Sequence, residues 1–364
     1  MFLCCAEYAL GETQEGKRRT ASGHLWPLLS RKQWTTAAAG DKITVSFSNA
    51  MGSCMQSGND HRQPRDFQSA LLFSIFGLFE GSRGKNAKHP RAGVPEAFRQ
   101  DLRQEVYMDQ LRSRLGFICD MDGVIYHGDR LLPGVKEFVE WLYRENKKFL
   151  FLTNASSRSP KELQQKLGRM GLDVDERHFY TSALATARFL SRQAPGCSAY
   201  VIGDPGLFNA LHDAGITINN VDPDYVIVGE TSNYNYDSIC HAVRHVLRGA
   251  KLIGTNTDLT GPTEQGIVPA CRALVAPIEA ATGKQAYYVG KPNPLMMRTG
   301  LRMLDVHSGE AAMIGDRMDT DVIAGIESGL DPILVLSGVT SREDISRYPY
   351  RPRLVLNGVG DIPG

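Results

Sequence analysis

Phe117-Ile118-Cys119-Asp120-Met121-Asp122-Gly123 is the stretch on which the reading of this chain turns. Three apolar residues running into a polar turn predict a short buried strand. The first polar residues after it are carboxylates two positions apart. At a strand end such a pair can point the same way, and Gly123 lets the chain turn sharply. One carboxylate can attack an electrophile while the other handles protons, with a hard divalent cation holding both. Asp-x-Asp also occurs in calcium loops and ordinary turns, so the pattern has meaning only with partners elsewhere.

Working outward, the punctuation is regular. Pro133 sits at a helix start, with Val135, Phe138, Val139 and Leu142 at helical spacing. Phe149–Leu152 reads as a second buried strand, and Leu163, Leu167 and Met170 as one helix face stopped by Gly171. Near the end, Ala311–Ile314, then Val322 and Ile326 before Gly329, then Ile333–Leu336 give strand, helix and strand again. Apolar strands alternating with amphipathic helices predict α/β architecture: a doubly wound, Rossmann-like parallel sheet covered on both faces. The stretch 196–287 has its own strands (Tyr200–Ile202, Tyr225–Val228, Leu252-Ile253) and a helix face of Ile239, Val243, Val246 and Leu247. It interrupts the outer pattern and reads as an inserted α/β cap.

Three further clusters carry chemistry. Thr153-Asn154 ends the second strand, where a hydroxyl and an amide before a helix suit anionic oxygens or a plain helix cap. Gly290-Lys291-Pro292 follows Tyr287–Val289, and the ammonium of Lys291 can neutralise a phosphate as a point charge. Gly315-Asp316-Arg317-Met318-Asp319-Thr320-Asp321 follows Ala311–Ile314 and reads as metal coordination or a capped, solvated turn. Four clusters at the carboxyl ends of strands should converge on one crevice of a doubly wound sheet. Two carboxylates, a Thr-Asn pair, a lysine and a third metal carboxylate together describe a phosphoryl-transfer site.

Asp120-x-Asp122-Gly123, Leu152-Thr153-Asn154, Gly290-Lys291-Pro292 and Gly315-Asp316-x-x-x-Thr320-Asp321 resemble, in order, the four motifs of the haloacid-dehalogenase (HAD) superfamily. Pro223–Thr231 and Val335–Val339 resemble its NagD-like (HAD-IIA) branch, which contains nucleotide, pyridoxal-phosphate and para-nitrophenyl phosphatases. The resemblance implies a HAD core over 111–195 and 288–364, with a C2-type cap over 196–287. It implies a Mg²⁺-dependent phosphomonoesterase acting through an aspartyl-phosphate on a small phosphorylated metabolite, a nucleoside monophosphate or sugar phosphate first. Asp120 would be nucleophile and metal ligand. Asp122 would protonate the leaving oxygen, activate water and offer its carbonyl to the metal. Thr153, Asn154 and Lys291 would hold phosphoryl oxygens, and Asp316 would complete the metal site with Asp321 behind it. Asn256 and Asp258 fall in the cap loop that faces the substrate. The other class of reading is an idle phospho-ligand sensor, which a complete motif set disfavours.

Composition narrows the remainder. Among 364 residues, 41 Lys plus Arg meet 40 Asp plus Glu, so no global field invites nucleic acid. Residues 1–110 hold 14 basic and 11 acidic residues and are expected to be a disordered or non-native extension, with Met108 as an alternative start. Thr36–Gly40, Gly52–Cys54 and Gly81–Lys85 read there as loops. A basic arm recruiting RNA or membrane is the minor reading. The longest apolar run, Ala70–Phe79, is half of a membrane span. The 7 cysteines show neither a disulfide framework nor zinc-ligand spacing. A cytoplasmic protein without nucleic-acid or membrane partners is expected, compatible with a homo-oligomer.

Overall fold

The computed structural model describes residues 33–38, 41–46, 96–263 and 266–364. The chain divides into two units, Met1–Ala92 and Gly93–Gly364. In the first, β1 (Gln33–Ala38) pairs antiparallel with β2 (Asp41–Ser46). Thr36–Ala38, expected as part of a loop, is therefore strand. The other two loop assignments and the apolar run Ala70–Phe79 lie outside the described residues.

The second unit opens with α1 (Glu96–Ser113), which crosses the expected boundary at residue 110. Met108 and Leu111 on this helix are buried, and the Arg112 Nε donates to the Ile362 carbonyl at 2.7 Å. The helix is thus sewn to the far end of the chain, and the expected start at Met108 would fall inside it. Then follow β3 (Gly116–Cys119), a small hairpin of β4 (Tyr126–His127) and β5 (Arg130–Leu131), α2 (Val135–Arg144), β6 (Lys148–Thr153), α3 (Pro160–Arg169), β7 (Phe179–Thr181) and α4 (Ser182–Gln193). After a second sheet the chain returns through α8 (Pro294–Leu304), β15 (Ala311–Gly315), α9 (Ile323–Ser328), β16 (Asp331–Val335) and β17 (Leu354–Leu356).

The first sheet has the order β17-β16-β15-β3-β6-β7, with all pairings parallel. Burial on both faces is visible residue by residue. Phe117, Cys119, Phe149, Phe151, Ala312 and Ile314 enter one apolar cluster. Their neighbours Ile118, Leu150, Leu152, Ala311 and Met313 enter the other. This is the period-two alternation of a strand, with both sets apolar because helices cover both faces. From central β3 the chain first builds outward through β6 and β7, then reappears on the other side at β15. The switch point lies between β3 and β15, where ligands bind in open α/β sheets.

The inserted segment forms a second parallel sheet, β14-β11-β10-β8-β9. Its strands are β8 (Ser198–Ile202), β9 (Thr217–Ile218), β10 (Tyr225–Val228), β11 (Lys251–Gly254) and β14 (Tyr287–Tyr288). Helices α5 (Pro205–Asp213), α6 (Tyr236–Arg248) and α7 (Cys271–Thr282) accompany it, with an antiparallel ribbon of β12 (Thr260–Thr263) and β13 (Gly266–Pro269). On α6 the buried residues are Ala242, His245 and Val246, while Leu247 is exposed. One apolar cluster runs from Ile118 and Leu150 in the first sheet to Ala199, Val201 and Ile227 in the second. Among the described residues no helix is long and apolar enough to cross a membrane.

Candidate active site

Asp120 leaves β3 with its N–H donating to the Ile314 carbonyl of β15 at 2.8 Å, which carries the pairing one residue past the strand. Asp316 leaves β15, and Asp321 lies on a single π turn, Met318–Val322, leading into α9. A π turn lets an extra residue bulge from a helix start, a geometry often found at functional sites. Asp120, Asp316 and Asp321 are all buried, and each offers a carboxylate oxygen within 4.8 Å of the others. Asp321, expected behind Asp120 and Asp316, brings its carboxylate into the same group of three.

Small residues make the cluster possible. A Cβ at Gly338 would stand 2.1 Å from Asp316 Oδ2, and one at Gly315 would stand 2.2 Å from the Cβ of Asp321. The carboxylates pack against bare backbone, so these glycines answer a close approach.

One ammonium balances the cluster directly. Lys291 Nζ lies 2.7 Å from Asp120 Oδ1 and 2.7 Å from Asp321 Oδ1. Burial works against its charge, yet the two carboxylates hold its pKa above the ordinary lysine value. Burial, reinforced by Asp321 and Asp120, pushes Asp316 up to about 8. Burial likewise pushes Asp321 up to about 6, against the pull of Lys291. Asp120 is raised by burial too, with Lys291 opposing.

Lys291 does not descend from the first sheet. It follows β14, the edge strand of the second, whose continuation is held by Val289 N–H to Gly254 carbonyl (3.2 Å) and Gly290 N–H to Thr255 carbonyl (2.8 Å). The expectation of four clusters on one sheet is corrected: three come from the first sheet and the lysine from the second. A boundary at 287/288 accordingly cuts through a strand. The short run Tyr287–Val289 carried no signal of which sheet it joins.

Asp122 lines a pocket and is solvent-accessible there, although it lies deep enough in protein for burial to raise its pKa. Tyr126 Oη donates to Asp122 Oδ2 at 3.2 Å. Asp122 is thus not part of the carboxylate triad and faces the pocket.

Thr153 ends β6 and Asn154 follows it, and both side chains make hydrogen bonds to neighbouring groups. Thr153 Oγ1 accepts from the Ala155 N–H at 3.1 Å. Asn154 Oδ1 accepts from the Lys291 N–H at 2.7 Å, and its amide donates to Lys291 O at 3.2 Å and Asp258 Oδ2 at 3.1 Å. Asn154 therefore fixes the backbone of the lysine. Asn256 and Asp258 join the same network. The Asn256 amide donates to the Asn154 carbonyl at 2.7 Å and to Glu230 Oε1. Its Oδ1 accepts from the Asp258 N–H at 3.0 Å.

Sequence reasoning missed Glu230 as a site residue. Its Oε2 accepts from both the N–H (3.0 Å) and the hydroxyl of Ser156. One carboxylate after β10 thereby ties the inserted sheet to the loop after β6. Its sequence signals were its place at a strand end in Val228-Gly229-Glu230 and its position inside the Pro223–Thr231 stretch that resembles the NagD-like branch, neither of which assigns it a role.

With this geometry established, comparison with known proteins is direct. Residues 117–217 match the model described as haloacid dehalogenase-like hydrolase, and residues 288–362 match a second, HAD-hydrolase-like model. A dihydroxyacetone phosphatase from Corynebacterium glutamicum is 44% identical over 248 residues, covering 68% of this chain and 90% of that protein. The structure of NagD from E. coli K-12 superposes with a TM-score of 0.66 at 43% identity, covering 69% of this chain and 98% of that one. A 4-nitrophenylphosphatase from Thermotoga maritima gives a TM-score of 0.68 at 35% identity, covering 70% and 98%. Matching motifs, a matching double-sheet fold and identity at this level lead to one assignment: the chain belongs to the haloacid-dehalogenase-like hydrolases, in their NagD-like branch.

Proposed function

We propose that the protein is a phosphomonoester hydrolase that uses Asp120 as nucleophile, Asp122 as acid and base, and a Mg²⁺ ion held by Asp120 and Asp316 with Asp321 beside them. Phosphatases of small phosphorylated metabolites are what its relatives are named for. The observation that carries the reading is the separation of two carboxyl environments. Asp120 is locked in a buried charge cluster, and Asp122 stands outside it in the pocket.

The donor set fits a hard divalent cation, which prefers oxygen ligands. Three buried carboxylates converge on one point, and Asp316 Oδ1 is buried with no hydrogen-bond partner. Bound there, Mg²⁺ would supply charge that lets an anionic nucleophile meet an anionic phosphoryl group.

The protein's own residues account for the remaining chemistry. A phosphate over the cluster puts phosphorus within reach of Asp120, whose carboxylate oxygen forms a new P–O bond as the ester P–O bond breaks. Asp122, whose burial favours the protonated form, gives its proton to the departing oxygen. Water then attacks phosphorus, returning a proton to Asp122 while the Asp120–phosphorus bond breaks. Inorganic phosphate leaves and both carboxyl groups are restored. Lys291 holds Asp120 in line through its 2.7 Å contact and stabilises charge built up on the phosphoryl oxygens.

A nucleoside monophosphate or sugar phosphate is the first substrate class to screen, and the cytoplasm the expected compartment. The deciding experiment is hydrolysis of para-nitrophenyl phosphate with Mg²⁺ by wild type and Asp120→Asn, with acid quenching to trap the phosphoenzyme. Loss of about 10⁴- to 10⁶-fold in kcat and of the trapped species is expected for removal of a nucleophile. Retained turnover in the variant would sink the mechanism.

A further inference from the structure

Beside the carboxylate triad, a cavity of about 360 Å³ opens at Asp122, walled by His127, Asp129, Arg158 and Lys166. Lys166 rides on α3, whose start is fixed by a reciprocal cap. The Ser159 N–H donates to Glu162 Oε2 at 2.7 Å, and the Glu162 N–H donates to Ser159 Oγ at 3.3 Å. The side chain is therefore carried by a well-anchored helix rather than by a loose loop.

Lys166 is 7% exposed, yet among the described residues its ammonium makes no hydrogen bond. It sits 3.8 Å from the centroid of the Tyr126 ring. Its nearest carboxylate, Asp129, is 4.0 Å away and has 85% of its side chain in solvent. A desolvated ammonium is costly unless paired, and a ring face offsets only part of that cost. Arg158, the second cation on the wall, makes no ion pair among the described residues. The cavity wall therefore carries a buried lysine with no hydrogen bond and an arginine with no ion pair among the described residues, both facing the space beside Asp122.

We propose that this cavity is a second-anion subsite, so that the preferred substrates are phosphomonoesters whose leaving alcohol carries a carboxylate or a second phosphate held by Lys166 and Arg158. This rests on the phosphomonoesterase reading and narrows it. An anion placed there pairs both cations while keeping the scissile oxygen next to Asp122, which converts remote binding into orientation at the reacting centre.

The test uses the full chain with Mg²⁺ and three substrates on one three-carbon skeleton. Glycerol 3-phosphate has a neutral end, 3-phosphoglycerate a carboxylate and glycerol 1,3-bisphosphate a second phosphate. At least one charged substrate is expected to exceed glycerol 3-phosphate about 10- to 100-fold in kcat/KM, as charge-assisted hydrogen bonds allow. The one preferred identifies which anion the cavity takes. That charged-to-neutral ratio is expected to fall at least about fivefold in Lys166→Met and separately in Arg158→Gln. Using the ratio cancels general damage to folding or to Asp122, and Arg158, being exposed, tolerates substitution if Lys166 does not. A wild-type ratio near one, or a ratio unmoved in both variants, overturns the subsite while leaving the phosphatase intact. Failure to hydrolyse any of these substrates or para-nitrophenyl phosphate overturns both.

Discussion

In the six-stranded sheet, β3 and β15 end by sending Asp120 and Asp316 into the interior, whereas in the five-stranded sheet β8, β10 and β11 end in Gly203, Gly229 and Thr255. Both sheets are parallel, helix-covered and apolar, and both follow the same local rules. The difference lies in what they deliver. The first supplies carboxylates that cannot share a dry space unaided. The second supplies Lys291 from β14 and, through Glu230, Asn256 and Asp258, the hydrogen bonds that hold Asn154 and Ser156 in place. The site is complete only where one sheet's anions meet the other's cation and polar frame.

The comparison can be broken first at Asp122, which belongs to the carboxylate-bearing sheet but stands outside its cluster. Asp122→Asn is expected to lower kcat about 10²- to 10⁴-fold with an alkyl phosphate. With para-nitrophenyl phosphate, whose leaving oxygen needs little protonation, the loss in the first chemical step should shrink. Equal losses with both leaving groups, measured as burst rates, would remove Asp122 from the acid role.

The second test addresses the charge imbalance. Asp321 is raised to about 6 and Asp316 to about 8, above the ordinary carboxylate value near 4. Between pH 4 and 8 the metal-free native state therefore binds more protons than the unfolded chain. Its stability is full below the unfolded pKa and is lost as pH rises through the folded values. Mg²⁺ bound as proposed would replace those protons, so its stabilisation should grow with pH. Saturation at about 100 Kd is worth about 2.7 kcal/mol, roughly 2–4 °C in Tm per kcal/mol for a domain of this size. Thermal melts with and without Mg²⁺ should show a larger gain at pH 8 than at pH 5.5. A gain independent of pH would mean that the cation binds elsewhere.

Much of the first sheet was legible because its signals are local. The strand Gly116–Cys119 is four buried residues, and its polar successors follow at once. The helix faces at Val135–Leu142 and Leu163–Leu167 bury as their spacing implies. What sequence could not show depends on long-range pairing. Tyr287–Tyr288 is too short to declare a sheet, so the origin of Lys291 needed the Ile253–Tyr287 register. Asn154 was singled out for its residue type at a strand end, but its contact with the Lys291 backbone, 137 positions away, is made only by folding. On α1 the polar stretch between apolar positions hid a helix whose buried contacts are few. Glu230 lay within the NagD-like stretch Pro223–Thr231 but drew no role, because a glutamate at a strand end is ordinarily solvated.

Glu230 gives the third way to sharpen the contrast, since it joins the sheets without lying in the carboxylate triad. In Glu230→Gln one acceptor oxygen becomes a donor facing either Ser156 N–H or the Asn256 amide, leaving like groups opposed. Such losses run about 1–3 kcal/mol. A fall of about tenfold in kcat with an unchanged pH profile is expected, because geometry shifts while no titrating catalytic group is lost. In a double-mutant cycle, Glu230→Ala and Ser156→Ala should couple by about 0.5–3 kcal/mol. Additive effects would show that the bridge carries nothing between the two sheets.

The smallest expected effect lies farthest from the chemistry, on α1. A chain starting at Gly93 keeps the helix whole, whereas one starting at Met108 removes Tyr107, whose ring lies 5.1 Å from the Arg353 guanidinium. Both retain Met108, Leu111 and the 2.7 Å bond from Arg112 to Ile362. A cation–π contact of this exposure is worth about 0.5–1 kcal/mol. Shortening the helix to six residues adds fraying, because isolated turns nucleate poorly and lean on packing. The shorter chain should therefore melt about 2–5 °C lower. Its kcat should match that of the longer one, since no strand end or bridging residue is touched. A loss of activity beyond the loss of folded protein would tie α1 to the frame that holds Asp120.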